Sequence, residues 1–157
     1  MADETVAQIT LDALRLRITK ILPKQILSCV EQLSEEQLWW RANESSNSVG
    51  NLLIHLSGSL RHYILKTVGG IEFDRDRPAE FAERRQLPKA EVVARFVETI
   101  AEVTQVLEAF DVKRLLEPTI EPAYNPTMLN LLINVVTHIT MHEIGRASCR
   151  ERVYVLV

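Results

Sequence analysis

The stretch Met128-Leu129-Asn130-Leu131-Leu132-Ile133-Asn134-Val135-Val136-Thr137-His138-Ile139-Thr140-Met141-His142 decides the fold. Its apolar residues Met128, Leu131, Leu132, Val135, Val136 and Ile139 recur at the spacing of one buried helix face. Thr127 stands in front as a capping residue, and Pro118, Pro122 and Pro126 break the chain upstream. Leu131, Val135, His138 and His142 follow one another by four, three and four residues along this helix. Two imidazoles therefore lie a turn apart on a face that otherwise reads as core. Imidazoles in such a place need a partner, either a metal ion or buried hydrogen-bonding groups.

Working outward, three more stretches carry the same period. Residues 4–33 place Ile9, Leu11, Leu14, Leu16, Ile18, Ile21, Leu22, Ile26, Leu27 and Val30 at apolar positions, and Pro23 predicts a kink because it lacks an amide donor. Ser34-Glu35-Glu36-Gln37 has the form of a capping box and opens a short turn ending at Trp39-Trp40, read as core or a pocket lid. A second long helix is expected from about Asn47 through Leu52, Leu53, Leu56, Leu60, Tyr63 and Ile64 to Gly69-Gly70, where glycine can end it. The third begins at Pro88 and runs through Val92, Phe96, Ile100, Val103 and Leu107 to Phe110. Between them, the alternating charges of residues 71–87 read as a solvated crossover. Four helices around one core follow, an all-α four-helix bundle whose long connection joins helices that are not antiparallel neighbours.

The length of 157 residues suits one domain, and the 46% apolar content is ordinary for a globular chain. A net charge of −3 and the absence of a basic face argue against nucleic acid as a partner. No apolar run approaches a membrane span, and the start Met1-Ala2-Asp3-Glu4-Thr5 lacks a basic region followed by an apolar one, so the expectation is a cytoplasmic protein. Cys29 and Cys149 form neither a CxxC pair nor a disulfide framework, and Cys29 reads as a small core residue. Residues 1–145 are expected to form the bundle. Residues 146–157 share no apolar face with it, turn β-branched at their end, and resemble the translation of a sequencing-library adapter; they are read as a non-native tail.

The second helix offers two further histidines on one face, His55 and His62. His55 sits in the apolar run Asn51-Leu52-Leu53-Ile54-His55-Leu56 and is the one expected to meet His138 and His142; His62, beside Arg61 and Tyr63, is expected at the surface or in a hydrogen bond. Ser57 and Gly58 permit close helix approach or leave space for a substrate. Glu143 could act as an acid, a base or a partner to a ligand, although it points about 100° away from His142. Three histidines with no fourth protein ligand would form an open, catalytic type of metal site. The spacing is not that of HExxH.

Leu33-Ser34-Glu35-Glu36-Gln37-Leu38-Trp39-Trp40-Arg41, the run from Asn47 to Gly58, Arg75-Asp76-Arg77-Pro78-Ala79-Glu80-Phe81 and the closing HxxxH together resemble the DinB/YfiT-like family, over nearly everything from the first helix to His142. The resemblance implies a four-helix bundle of unusual connection order in which His55, His138 and His142 bind a divalent ion such as zinc or nickel. It implies action on a small-molecule substrate, as a hydrolase or as a thiol S-transferase using a low-molecular-weight thiol such as bacillithiol or mycothiol, and frequent homodimers. The chain departs from the family after His142, where a Gly-Gln pair and further helical turns usually follow. The competing expectation is a non-catalytic bundle in a stress-response or interaction role, with a structural metal or none.

Overall fold

A computed structural model of the chain describes residues 5–121 and 123–142 in full, and the backbone alone of the helical residues 2–4 and 143–155. The side chains of Glu143 and Cys149, and the expectations attached to the tail from residue 146, lie outside the described residues. The described residues are helices and connections without a strand; Pro118 and Thr127 form one isolated antiparallel bridge.

The first long element is α1 (Ala2–Leu16), a π-helical stretch (Arg17–Ile21) and α2 (Leu22–Glu31). The expected disturbance at Pro23 takes the form of this wider turn: the Leu22 amide reaches back to the Arg17 carbonyl, five residues away, just before the proline. Leu11, Ile18, Leu22, Ile26 and Val30 form the buried stripe. Ile9, Leu16 and Ile21, counted above as apolar positions, fall off that stripe and are exposed. Short α3 (Glu35–Trp39) starts at the expected capping box, with Ser34 Oγ accepting from the Gln37 amide. Trp39 is core, and its Nε1–H donates to the Leu87 carbonyl at 2.9 Å.

The second long element is α4 (Val49–Leu60), continued by a π-helical stretch (Arg61–Val68). It starts two residues later than Asn47 because a second capping box fixes the first turn. Ser48 Oγ accepts from the Asn51 amide and Asn51 Oδ1 accepts from the Ser48 amide. Gly70, at φ 68°, ends it: its amide returns to the Lys66 carbonyl in the left-handed cap that glycine takes without steric cost. A short α5 (Arg77–Ala82) lies in the crossover, followed by α6 (Lys89–Ala109), for which Pro88 is the N-cap rather than the first helical residue. A 3₁₀ turn (Val112–Leu116) leads to α7 (Met128–Val155), where Thr127 Oγ1 accepts from the Asn130 amide as the cap.

Pairings across the core give the topology. Arg61 reaches Glu98 and Glu102 at 3.6 and 3.0 Å, and Gly69 packs against Val106, so residue numbers on α4 and α6 rise together and these neighbours are parallel. Arg15 donates to the carbonyls of Leu107 and Phe110, and Lys89 to that of Glu31, so α1 and α2 run antiparallel to α6. His55 and Ser59 both meet His138, whereas Tyr63 shares a cavity wall with Leu131, which makes α4 and α7 antiparallel. The order is up, down, down, up. Parallel neighbours cannot be joined by a tight turn, and this is why the chain spends residues 71–88 returning along the length of α4.

Most of that return is exposed, as expected from its charges, but one part of it is held down on the bundle. Glu80 is 7% exposed, and α5 packs on α4. The reason is Asn51, 1% exposed, whose Nδ2 donates to the carbonyls of Glu80 and Glu83 and binds the end of α5 to the start of α4.

Candidate metal centre

Three imidazoles meet where α4 passes α7. His55 is 4% exposed, and His138 and His142 are half-buried one turn apart. His55 Nε2 lies 3.1 Å from His138 Nε2, which lies 3.0 Å from His142 Nε2, and the rings stand nearly edge-on to one another. The expected trio is therefore brought together, and its ligand atoms all fall within 4.8 Å of one another. His62 is not among them: its Nε2 lies 2.8 Å from Glu121 Oε1, the hydrogen-bonded role expected of it.

The outer nitrogens of His55 and His138 each meet a polar neighbour. Glu80 Oε2 lies 2.8 Å from His55 Nδ1, while Arg75 grips the same carboxylate in a fork, with Nε 2.7 Å from Oε1 and Nη2 2.9 Å from Oε2. Arg75 Nη2 also lies 3.2 Å from His55 Nδ1. Both nitrogens donate to the shared oxygen Oε2, so that short edge is not itself a bond. The proton thus sits on Nδ1, and the Nε2 lone pair of His55 faces the other two histidines. His138 Nδ1 lies 3.3 Å from the hydroxyl of buried Ser59, which can donate to it or accept from it.

Burial is the largest cause lowering the pKa of His55, against which Glu80 pulls upward. For His138, burial comes first and the neighbouring His142 and His55 next, together lowering the pKa to about 4. Both rings are then neutral at pH 7, the state in which imidazole ligates.

The geometry can be tested against an ion. Metal–nitrogen bonds of about 2.1 Å separate two ligating nitrogens by about 3.0 Å at a right angle and about 3.4 Å at the tetrahedral angle. The observed 3.0 and 3.1 Å lie at the short end of that interval. Nitrogens so close need either a ring proton shared between them or a cation, and a divalent ion satisfies all three at once. The donor set and its spacing therefore fit a divalent ion, and the three histidines can hold one. A cavity of about 550 Å³ opens beside them, with Tyr63, Arg77, Phe81, Tyr124 and Asn125 in its wall.

Sequence reasoning did not assign roles to Arg75, Glu80, Phe81 or Ser59. Phe81 stacks against His55 with ring centroids 4.5 Å apart. An aromatic residue amid a charge run was the available signal that the segment packs. Gly58, expected to permit close helix approach or leave space for a substrate, leaves room for Glu80 of α5: a Cβ there would lie 2.0 Å from Oε1.

Fold and site together define a helical bundle in which three converging histidines could hold a metal ion. A family model described as the DinB superfamily matches residues 19–144, and the chain belongs to that superfamily. No curated protein matches it closely enough to compare.

Proposed function

We propose that the protein is a metal-dependent enzyme acting on a small molecule, with His55, His138 and His142 as the ligands of a divalent ion, zinc or nickel by the all-imidazole donor set. The observation carrying this reading is the convergence of three Nε2 atoms beside a cavity of about 550 Å³. Three protein ligands leave positions open, as catalytic rather than structural sites do. When bound, the ion supplies Lewis acidity to a water or thiol entering from the cavity. Hydrolysis and thiol S-transfer are the two chemistries this supports. Among the described residues no cysteine lines the cavity, and the thiol of the transfer reading is an added small molecule.

The chain's own groups prepare the site. Glu80 holds the His55 proton on Nδ1, Arg75 orients the Glu80 carboxylate, and Phe81 covers one face of His55 against water. No helix of the described residues is long and apolar enough to cross a membrane, in keeping with a diffusible substrate.

The test is turnover of activated esters and of electrophilic thiol acceptors by metal-loaded protein, with and without a low-molecular-weight thiol and with a chelator. Chelator-sensitive turnover without thiol indicates a hydrolase, and turnover only with thiol a transferase. Chelation that lowers the melting temperature of a protein inactive throughout would favour the non-catalytic bundle.

A further inference from the structure

The cavity beside the histidines has an electrical asymmetry. Among the described residues its wall holds two guanidinium groups, Arg75 and Arg77, and no aspartate or glutamate. Arg75 is committed, its fork closed on Glu80. Arg77 is not: it has neither a hydrogen bond nor an ion pair among the described residues, and its one defined contact is with the Phe81 ring, 5.1 Å from Cζ to the centroid. Phe81 in turn lies on His55. A single aromatic ring thus separates an uncompensated guanidinium from the proposed ion, and fixes its side of the cavity. Three neutral imidazoles do not offset the charge of a divalent ion, so both ends of the cavity attract anions. The rest of the wall, including Asn47, Tyr63, Asn125 and Asn134, is uncharged. Tyr63, also in the wall, has a hydroxyl with no hydrogen-bond partner among the described residues.

We propose that the cavity takes a small molecule bearing a carboxylate or similar planar anion, anchored by the guanidinium of Arg77, with its reactive group directed at the three-histidine end. This rests on the metal-dependent reading above and names the substrate class for that same site. Arg77 is a binding residue: a guanidinium matches a carboxylate with two parallel hydrogen bonds, and its stacking on Phe81 restricts the directions it can present.

Cobalt(II)-loaded protein provides the test, because thiolate binding to cobalt adds a charge-transfer band that reports occupancy without turnover. A homologous series of ω-mercapto carboxylates is titrated beside the ω-mercapto alcohols of equal length. The carboxylate should bind about 10-fold more tightly or better at one chain length, as a charge-assisted hydrogen-bond pair allows. That preference should fall to near unity in Arg77→Gln and survive in part in Arg77→Lys. A wild-type protein with no preference, or a preference undiminished in Arg77→Gln, would overturn the anchor while the cobalt spectrum still upheld the metal site. Absence of any protein-bound cobalt spectrum would overturn the metal reading and this inference with it.

Discussion

Replacing Gly58 by alanine sets helix propensity against the site. Inside a helix such as α4 the change should stabilise by about 1 kcal/mol. At this position the new Cβ would stand 2.0 Å from Glu80 Oε1 and 2.9 Å from its Cδ, whereas ordinary contact begins at 3.4 Å. The carboxylate must retreat, and its bonds to His55 and Arg75, at 2.7 to 2.9 Å, cannot follow it. A 7%-exposed carboxylate displaced from its partners costs about 1 to 3 kcal/mol, which outweighs the propensity gain. Loss of the residue that orients a ligating histidine should also weaken metal affinity about 10- to 100-fold. The assay is a competitive zinc titration with a chromophoric chelator, paired with urea unfolding of the metal-free protein. In a Glu80→Ala background the clash is gone, and Gly58→Ala should then stabilise, a reversal of sign that a double-mutant cycle reads directly. Stabilisation by Gly58→Ala in the wild-type background, with metal affinity unchanged, would refute the placement of Glu80.

Acid should destabilise the metal-free protein. His138 has its pKa lowered from 6.5 to about 4, and that of His55 is lowered too, so the unfolded chain takes up protons first; stability present above pH 6.5 is lost as pH falls toward 4. A urea midpoint flat across that window, measured with chelator present, would contradict this. Leu132→Ala should cost about 2 to 5 kcal/mol, because Leu132 is 0% exposed on the buried face of α7 and its neighbours can close the gap only partly; denaturant unfolding measures it.

The long helices were legible because burial on one face leaves a period in the sequence that local chemistry cannot disguise. Leu131, Leu132, Val135 and Ile139 are all buried as their spacing required, and His138 and His142 continue that face. His55 was legible for the same reason. Less legible was the π-helical stretch before Pro23, since a hydrogen bond five residues back changes the phase of the stripe; Ile9 and Leu16 fall outside it for a simpler reason, lying about 160° and 140° around α1 from buried Leu11. What the charges of the mostly solvated crossover did not reveal is the burial of Glu80, because charged residues are solvated by default. That burial depends on Asn51, twenty-nine residues before Glu80, and on the missing side chain at Gly58, and nothing local in residues 71–87 encodes either. The histidines could be read from their own surroundings, while the carboxylate and guanidinium behind them could be read only from the fold.

The most direct test is the metal content of the purified protein by elemental mass spectrometry, beside the His138→Ala/His142→Ala double variant. The account predicts about one divalent ion per chain in the wild type and none in the variant, with the fold retained by circular dichroism. Absence of metal from the wild type even after reconstitution, or equal content in both proteins, would contradict the assignment of His55, His138 and His142 as ligands.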